Sequence, residues 1–211
     1  MKHYFILLFT LACSFAKSQT APFTAGVYVK LNSSALKVSS TTDGFRPLVQ
    51  SNPQWSAGAG FFYNSPDWNR FSLEAQAGIE ANGSGQMFYY DSGTGEVSRI
   101  YDRYRIVPIS LLIRRSITEK NSFYISAGIK TSFVLGFSSR HTNVSSPPAG
   151  TIILNPEVEK MFQSVVGEFG WVRPRGDIAL TLWHAFTPII DDAKVEVLPL
   201  GLAVTVKADI L

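Results

Sequence analysis

The sequence predicts an all-β protein: an eight-stranded antiparallel up-and-down transmembrane β-barrel preceded by a signal peptide. Three observations predict it. First, 45% of residues are hydrophobic and only 17% charged, yet no apolar run reaches the roughly 18 residues of a membrane-spanning helix. Second, the apolar residues alternate with small or polar ones over segments longer than an ordinary soluble strand. Third, the connections between these segments alternate between long and short, the pattern of short periplasmic turns and longer outside loops.

The leader comes first. Lys2 and His3 precede a short apolar stretch from Tyr4 to Ala12, and Ala16 and Ser18 are small residues at the −3 and −1 positions of a cleavage site before Gln19. The expected division is therefore a signal peptide at 1–18 and a barrel domain at 19–211. Cys13, the single cysteine, leaves with the leader, so the mature chain has no disulfide or thiol chemistry. Loss of Lys2 and Lys17 brings the 19 basic residues close to balance with the 16 acidic ones. The overall charge of +3 therefore does not point to nucleic acid.

The first strand is expected over 23–31, with Phe23, Ala25, Val27, Val29 and Leu31 on one face. A Ser/Thr/Asn-rich loop follows over 32–54. The second strand is expected over 55–63, ending at the turn-forming Asn64-Ser65-Pro66-Asp67. In the third, over 70–81, Phe71, Leu73, Ala75, Ala77 and Ile79 alternate with Ser72, Glu74, Gln76, Gly78 and Glu80. A Gly-rich loop is expected over 82–103. It precedes no helix, so it is not a phosphate-cradling loop.

The hairpin from Tyr104 to Gly136 supplies strands four and five. In its second half Phe123, Ile125, Ala127, Ile129, Phe133 and Leu135 alternate with Tyr124, Ser126, Gly128, Lys130, Ser132 and Val134. A loop is expected over 138–156, then a sixth strand over 157–172 and a turn at 173–176. The seventh strand over 177–186 places Ile178, Leu180, Leu182, His184 and Phe186 on one face. A loop over 187–193 leads to the eighth, over 194–209, with Leu198, Leu200, Leu202, Val204 and Val206 on its apolar face. Pro108 and Pro199 cannot donate to a ladder, so bulges or frayed pairing are expected beside them.

Glycine placement assigns the faces. Gly26, Gly58, Gly60, Gly78, Gly128, Gly136, Gly170 and Gly201 all fall on the polar face, with Gly167 the exception. The inner face of a narrow barrel is crowded, and small residues relieve it. The small, polar face is thus expected inside and the aliphatic face outside. Trp55, Tyr63, Trp68, Phe71, Tyr101, Tyr104, Phe123, Phe137, Trp171 and Phe186 lie near strand ends, where interfacial girdles form. Lys30, Glu74, Glu80, Arg114, Lys130 and Glu168 lie on the polar face. They are expected to form a mixed-charge cluster that plugs the lumen, with Lys30 and Glu80 nearer the outer end.

The segment Ile106-Val107-Pro108-Ile109-Ser110-Leu111-Leu112-Ile113-Arg114, a charged turn, and Phe123-Tyr124-Ile125-Ser126-Ala127-Gly128 carry a family resemblance. They resemble the outer-membrane β-barrel families of the OmpA/OmpX and PorT type, common in Bacteroidota. That resemblance implies an eight-stranded barrel in the cell outer membrane. It also implies delivery by the barrel-insertion machinery and contact with outer-membrane lipids and lipopolysaccharide. It supplies no catalytic residues.

The residues themselves offer none either. His3 leaves with the leader, His141 sits in a polar loop, and no histidine pair has metal-ligand spacing. His184 lies on the apolar face, and Leu182 and Phe186, two residues away, provide no serine to activate. The expectation is a non-enzyme without cofactor: a structural or interaction barrel presenting outside loops near 34–54, 82–103, 138–157 and 187–193, with turns near 64–69, 116–121 and 173–176 on the periplasmic side. A passive channel and an accessory part of a secretion or assembly machine are the alternatives; no protein partner is named by the residues.

Overall fold

Long alternating strands leave their backbone polar groups to be satisfied by neighbours, and in hydrocarbon only closure of the sheet does this for every strand. The computed structural model describes residues 23–40, 53–91, 96–117, 122–143, 151–154, 158–192 and 195–210. The expected leader at 1–18 lies outside them. The strands are β1 (Thr24–Ser40), β2 (Gln54–Asn64), β3 (Phe71–Asp91), β4 (Glu96–Ser116), β5 (Phe123–Asn143), β6 (Thr151–Leu154), β7 (Met161–Arg173), β8 (Gly176–Ala185), β9 (Ile190–Asp192) and β10 (Val195–Asp209).

Eight of them form the wall, in the order β1-β2-β3-β4-β5-β7-β8-β10, and β10 pairs back onto β1. That closing seam is antiparallel and runs from Gly26↔Asp209 to Ser40↔Val195. The short β6 and β9 pair with β5 and β10 above the wall. The fold is thus a closed antiparallel eight-stranded barrel, as the alternation predicts.

The strands outrun the expected boundaries at one end. The loops expected at 32–54, 82–103 and 138–156 begin as strand: β1 continues to Ser40, β3 and β4 pair as far as Asp91↔Glu96, and β4 and β5 as far as Ser98↔Asn143. The loop expected at 187–193 contains β9. Serine, threonine and asparagine read as loop formers, but in a barrel they serve equally well facing a polar interior. Asn32 and Ser34 do this, both buried on the inner face of β1. The tall end is called the upper rim below.

At the lower rim the connections are tight. The β2–β3 reversal sits at Asn69-Arg70 rather than at Asn64–Asp67. Trp68 and Phe71 exchange both backbone hydrogen bonds, at 2.6 and 2.8 Å, and the two residues between them have φ of 50° and 71°. This is the two-residue hairpin loop with positive φ at both central residues, whose backbone twist matches the right-handed twist of the flanking strands. The β7–β8 turn is equally short, with Gly176 at φ 145°.

Pro108 has the effect expected of it. The β3–β4 ladder skips from Ala77↔Ile109 to Glu80↔Ile106, leaving Pro108 and Val107 unpaired on that side. Pro199 pairs with Leu36 of β1, while the β10–β8 ladder stops at Leu200↔His184.

The faces sort largely as the glycines foretell. Val29, Leu31, Phe61, Ile79, Ile113, Ile129, Val165 and Leu182 are exposed on the outside, while Glu74, Gln76, Glu80, Ser132 and Thr205 are buried within. Two expectations need correction. Gly136 is not on the crowded inner face: a register shift between Arg105 and Ile106 changes the parity, and a Cβ there would meet nothing within 4 Å. The extra residue lies on β5, where it turns Phe137 inward, while Tyr104 faces inward in unbroken phase with Ile106 and Leu112 on β4, so neither belongs to an outer girdle. Trp55, Tyr63, Trp68, Phe71, Phe123, Trp171 and Phe186 do face outward. At the lower rim Phe123 stacks on Phe169 and Trp171 at 6.0 and 6.1 Å.

The inner face is also not polar along its whole height. Leu36, Tyr104, Ile106, Phe162, Val166, Trp183, Ile189 and Val197 form a buried apolar cluster, most of it toward the upper rim. Lys37, Arg103, Arg105, Arg140 and Glu196 are exposed on the outer wall at that level. The wall's outer face therefore changes character along its height. Below, the outside is apolar and the inside charged; above, the outside is charged and the inside holds the apolar cluster beside buried Asn32, Ser34, Asn82 and Asp102. An apolar outer band requires lipid, and a charged outer band requires water. The chain is a transmembrane β-barrel whose upper part stands clear of the hydrocarbon.

Crowding gives a direct test. A Cβ at Gly78 would strike the Ala59 carbonyl, the Tyr28 hydroxyl and the Gly60 backbone, whereas at Gly167, facing out, the nearest atom is the Ser126 carbonyl at 3.9 Å. Gly78→Val is expected to destabilise the folded barrel by about 1–3 kcal/mol through overpacking. Gly167→Ala should stay within about 0.5 kcal/mol of the parent. Denaturant titration read by the heat-modifiable gel shift compares the two.

Candidate functional site

The barrel interior is where the chain concentrates buried charge. Each side chain is aimed there by strand parity. Glu74 and Gln76 come from β3, Arg114 from β4, Tyr124, Ser126 and Lys130 from β5, Glu168 from β7, Asp177 and Thr181 from β8, Thr205 and Lys207 from β10, and Lys30 from β1.

The charges fall into two groups. In the lower one the Lys207 ammonium lies between two carboxylates, in contact with Glu74 Oε1 and 3.0 Å from Glu168 Oε2. Gln76 donates to Glu74, and to Glu168 Oε1 at 3.2 Å. Thr181 donates to that same oxygen at 3.2 Å, and Ser126 to Oε2 at 3.4 Å. Arg114 reaches Glu74 at 3.8 Å and Asp177 at 2.6 Å, and its guanidinium lies 3.7 Å from the centroid of the Tyr124 ring. In the upper group Glu80 receives Lys30 at 3.1 Å and Lys130 at 3.5 Å. Lys130 also stands 3.8 Å over the Trp183 ring, where the charged layer meets the apolar one above it.

The six ion pairs join four cations to four carboxylates. Glu74, Glu80 and Lys207 are at most 2% exposed. Charges so far from water hold only when paired and hydrogen-bonded.

Tyr28 fills the space between the groups. Its hydroxyl lies where a Cβ on Gly60 or Gly78 would be, so these two glycines form the seat for a large inner ring. Gly170 does the same for Tyr124 and Gly201 for Trp183.

All six residues singled out in the sequence, Lys30, Glu74, Glu80, Arg114, Lys130 and Glu168, line this interior, with Lys30 and Glu80 in the upper group. Their partners divide between the two groups. Glu74 and Lys130 are not mates: Glu74 is held by Lys207 and Arg114, and Lys130 by Glu80. Strand tilt carries Lys130 up to the level of Glu80.

Sequence reasoning missed Lys207 and Asp177. Both lie near strand ends. The signal was present in their parity, since Lys207 follows Ala203 and Thr205 on β10, and Asp177 precedes Ala179 and Thr181 on β8. His184 faces outward and is exposed; the side chain of His141 is not described. Among the described residues no three His, Cys, Asp or Glu side chains converge as metal ligands would.

No family model matches the chain, and no curated protein does. Among solved structures the barrel is similar to Ail, the attachment invasion locus protein of Yersinia pestis, in complex with the heparin analogue sucrose octasulfate. The TM-score is 0.43 at 9% identity, covering 88% of this chain and 98% of that one. It is also similar to OprG of Pseudomonas aeruginosa, with a TM-score of 0.42 at 11% identity over 87% and 94% of the two chains. The outer membrane protease OmpT of Escherichia coli is a third, at 0.41 and 10% over 89% and 96%. The assignment to a transmembrane barrel rests on this chain's own pairing and sidedness.

The pairing predicts which mutations couple. Lys207→Ala leaves Glu74 and Glu168 buried around a missing cation and is expected to cost about 3–5 kcal/mol. Adding Glu168→Gln should recover part of that loss, because one stranded carboxylate disappears with it. A double-mutant cycle should give Lys130 a larger coupling with Glu80 than with Glu74. Unfolding titrations in detergent measure all of these.

Proposed function

We propose that the chain is an integral outer-membrane β-barrel with a plugged interior, acting as a structural or surface-interaction protein through the segments at its upper rim. The observation that carries this reading is the filling of the lumen. Paired charges occupy the lower and middle interior, and the cluster around Phe162, Trp183, Ile189 and Val197 occupies the upper part. A conducting lumen needs a continuous wetted path, and an apolar layer above matched ion pairs opposes one. Eight strands enclose a bore just wide enough for side chains to fill. This favours an interaction barrel over a passive channel. A place as an accessory part of a secretion or assembly machine would use the same upper surface.

Under this reading the upper rim faces outside and the lower-rim turns face the periplasm. The leader would be removed before Gln19, and the barrel would reach its membrane through the insertion machinery and sit among lipids and lipopolysaccharide. The strand extensions to Ser40, Asp91 and Asn143 rise at the upper rim, and the tight turns at Asn69-Arg70 and Pro174-Arg175 lie at the other. The reading assigns no reaction and no cofactor.

Two measurements test it. In planar bilayers the purified protein is expected to give no steady ionic conductance; a stable open level would reinstate the channel. On intact cells, Ser92→Cys and Ser145→Cys are expected to label with an impermeant thiol reagent and Arg175→Cys is not. Ser116 is a poor reporter of the lower rim because it is the buried last residue of β4.

A further inference from the structure

The wall is uneven at one place near the upper rim. The β2–β3 ladder runs from Asn64↔Glu74 up to Gly58↔Glu80 and stops there. Only a single bridge, Pro53↔Ser84, joins the two strands higher up. Above the break Ser34 of β1 takes over the β3 backbone: its Oγ donates to the Gly83 carbonyl at 2.7 Å and accepts from the Gly83 amide at 2.9 Å. Ser34 points into the barrel, so β3 is drawn inward behind β2.

A dent of about 660 Å³ lies beside that tuck, lined from β2 across to β5. Its outward-facing lining residues are Trp55, Ala81, Arg103, Arg105 and Ser138, with Gly136 at the parity change. Trp55, 67% exposed, stands at one side and the two arginines at the other. Ala81 and Gly136 keep the floor low, and a Cβ at Gly136 would meet open space.

The chemistry of the dent is asymmetric. Arg103 and Arg105 are two residues apart on one face of β4, about 7 Å along the strand. Arg140, exposed on β5, follows Ser138, the cross-strand partner of Arg103. None of the three guanidiniums belongs to an ion pair among the described residues. Directly below, the outer wall becomes aliphatic, with Ile79, Ile109 and Leu135 exposed. The dent therefore sits where the hydrocarbon band ends and the charged band begins, the depth of lipid headgroups. An indole fits that depth, and planar guanidiniums bind phosphate oxygens in pairs.

We infer that this dent is a docking site for a phosphomonoester-bearing lipid of the surrounding leaflet. The phosphate lies against Arg103 and Arg105, with Arg140 completing the positive field, and an acyl chain descends past Trp55 over Ile79 and Leu135. The occupant is a lipid rather than a free anion because the basic side chains cap an apolar wall that water cannot cover. The site deepens the membrane-barrel reading by naming the lipid chemistry its upper rim selects.

The test uses the full-length folded protein in a neutral detergent, with phosphatidic acid as the phosphomonoester probe and phosphatidylcholine of the same chain length as the comparison. Native mass spectrometry counts retained lipid. The parent is expected to retain phosphatidic acid at least about tenfold better than phosphatidylcholine. Arg103→Ser/Arg105→Ser should abolish that preference, and Trp55→Ala should weaken retention of phosphatidic acid. Arg173→Ser, at the lower rim, should leave it unchanged. These arginines project outward, and the heat-modifiable gel shift verifies that each variant is folded.

Equal retention of the two lipids by the parent, or an unchanged preference in the double arginine variant, would overturn the proposal. So would competition by millimolar inorganic phosphate as effective as that of the lipid, which would mark a simple anion site. The assay does not depend on conductance or on cellular location, so its failure is separate from failure of the outer-membrane reading.

Discussion

A backbone amide in hydrocarbon has no water to bond, and the rest of this structure follows from that constraint. It forces β10 back onto β1 from Gly26↔Asp209 to Ser40↔Val195. Closure fixes a narrow bore, and the narrow bore dictates what can point inward. Glycine makes room for several large inner rings, as at Gly60 and Gly78 beneath the Tyr28 hydroxyl, or at Gly170 beneath Tyr124. The glycine pattern is thus a consequence of closure and not a separate feature of the sequence.

The same closure isolates charge. Lys207 is reached by neither water nor lipid, and its ammonium is held by Glu74 and Glu168, with Gln76, Thr181 and Ser126 donating to the same two carboxylates. A buried ion network is weak support for stability compared with an apolar filling of the same volume. It does resist rearrangement, because moving any one strand's register strands a charge. A one-residue slip would send that strand's inner residues into lipid. For β10 it would carry Lys207 out of the barrel. The network is therefore best understood as a register lock that also fills the bore.

The change of the outer wall from apolar to charged ties the interior to the surroundings. The apolar inner cluster of Leu36, Ile106, Phe162 and Trp183 lies toward the level at which Arg103, Arg105 and Arg140 appear outside. Above the hydrocarbon the barrel holds a packed apolar cluster among buried polar side chains, under a charged coat. Trp183 and Lys130, 3.8 Å apart, mark the junction of the two regimes inside, and the dent beside Trp55 marks it outside.

Much of this is legible in the sequence. Period-two alternation yields eight wall strands, their antiparallel order and the inverted sidedness, because side-chain parity is a local property of the chain. Six of the eight residues in the two ion-paired groups can be picked out the same way. What escapes is whatever depends on strand length above the membrane or on tilt. The extensions to Ser40, Asp91 and Asn143 are rich in loop-forming residues, and only a partner strand makes them strand. Simple alternation puts Gly136 and Phe137 on the wrong faces because the extra residue on β5, opposite Arg105/Ile106, changes parity without a sequence mark. The mates of Glu74 and Lys130 are settled by tilt and stagger, which bring distant positions to one height. Alternation within a strand thus determined which residues face in and which face out. The register between strands, a property of the closed wall alone, decided which of them meet.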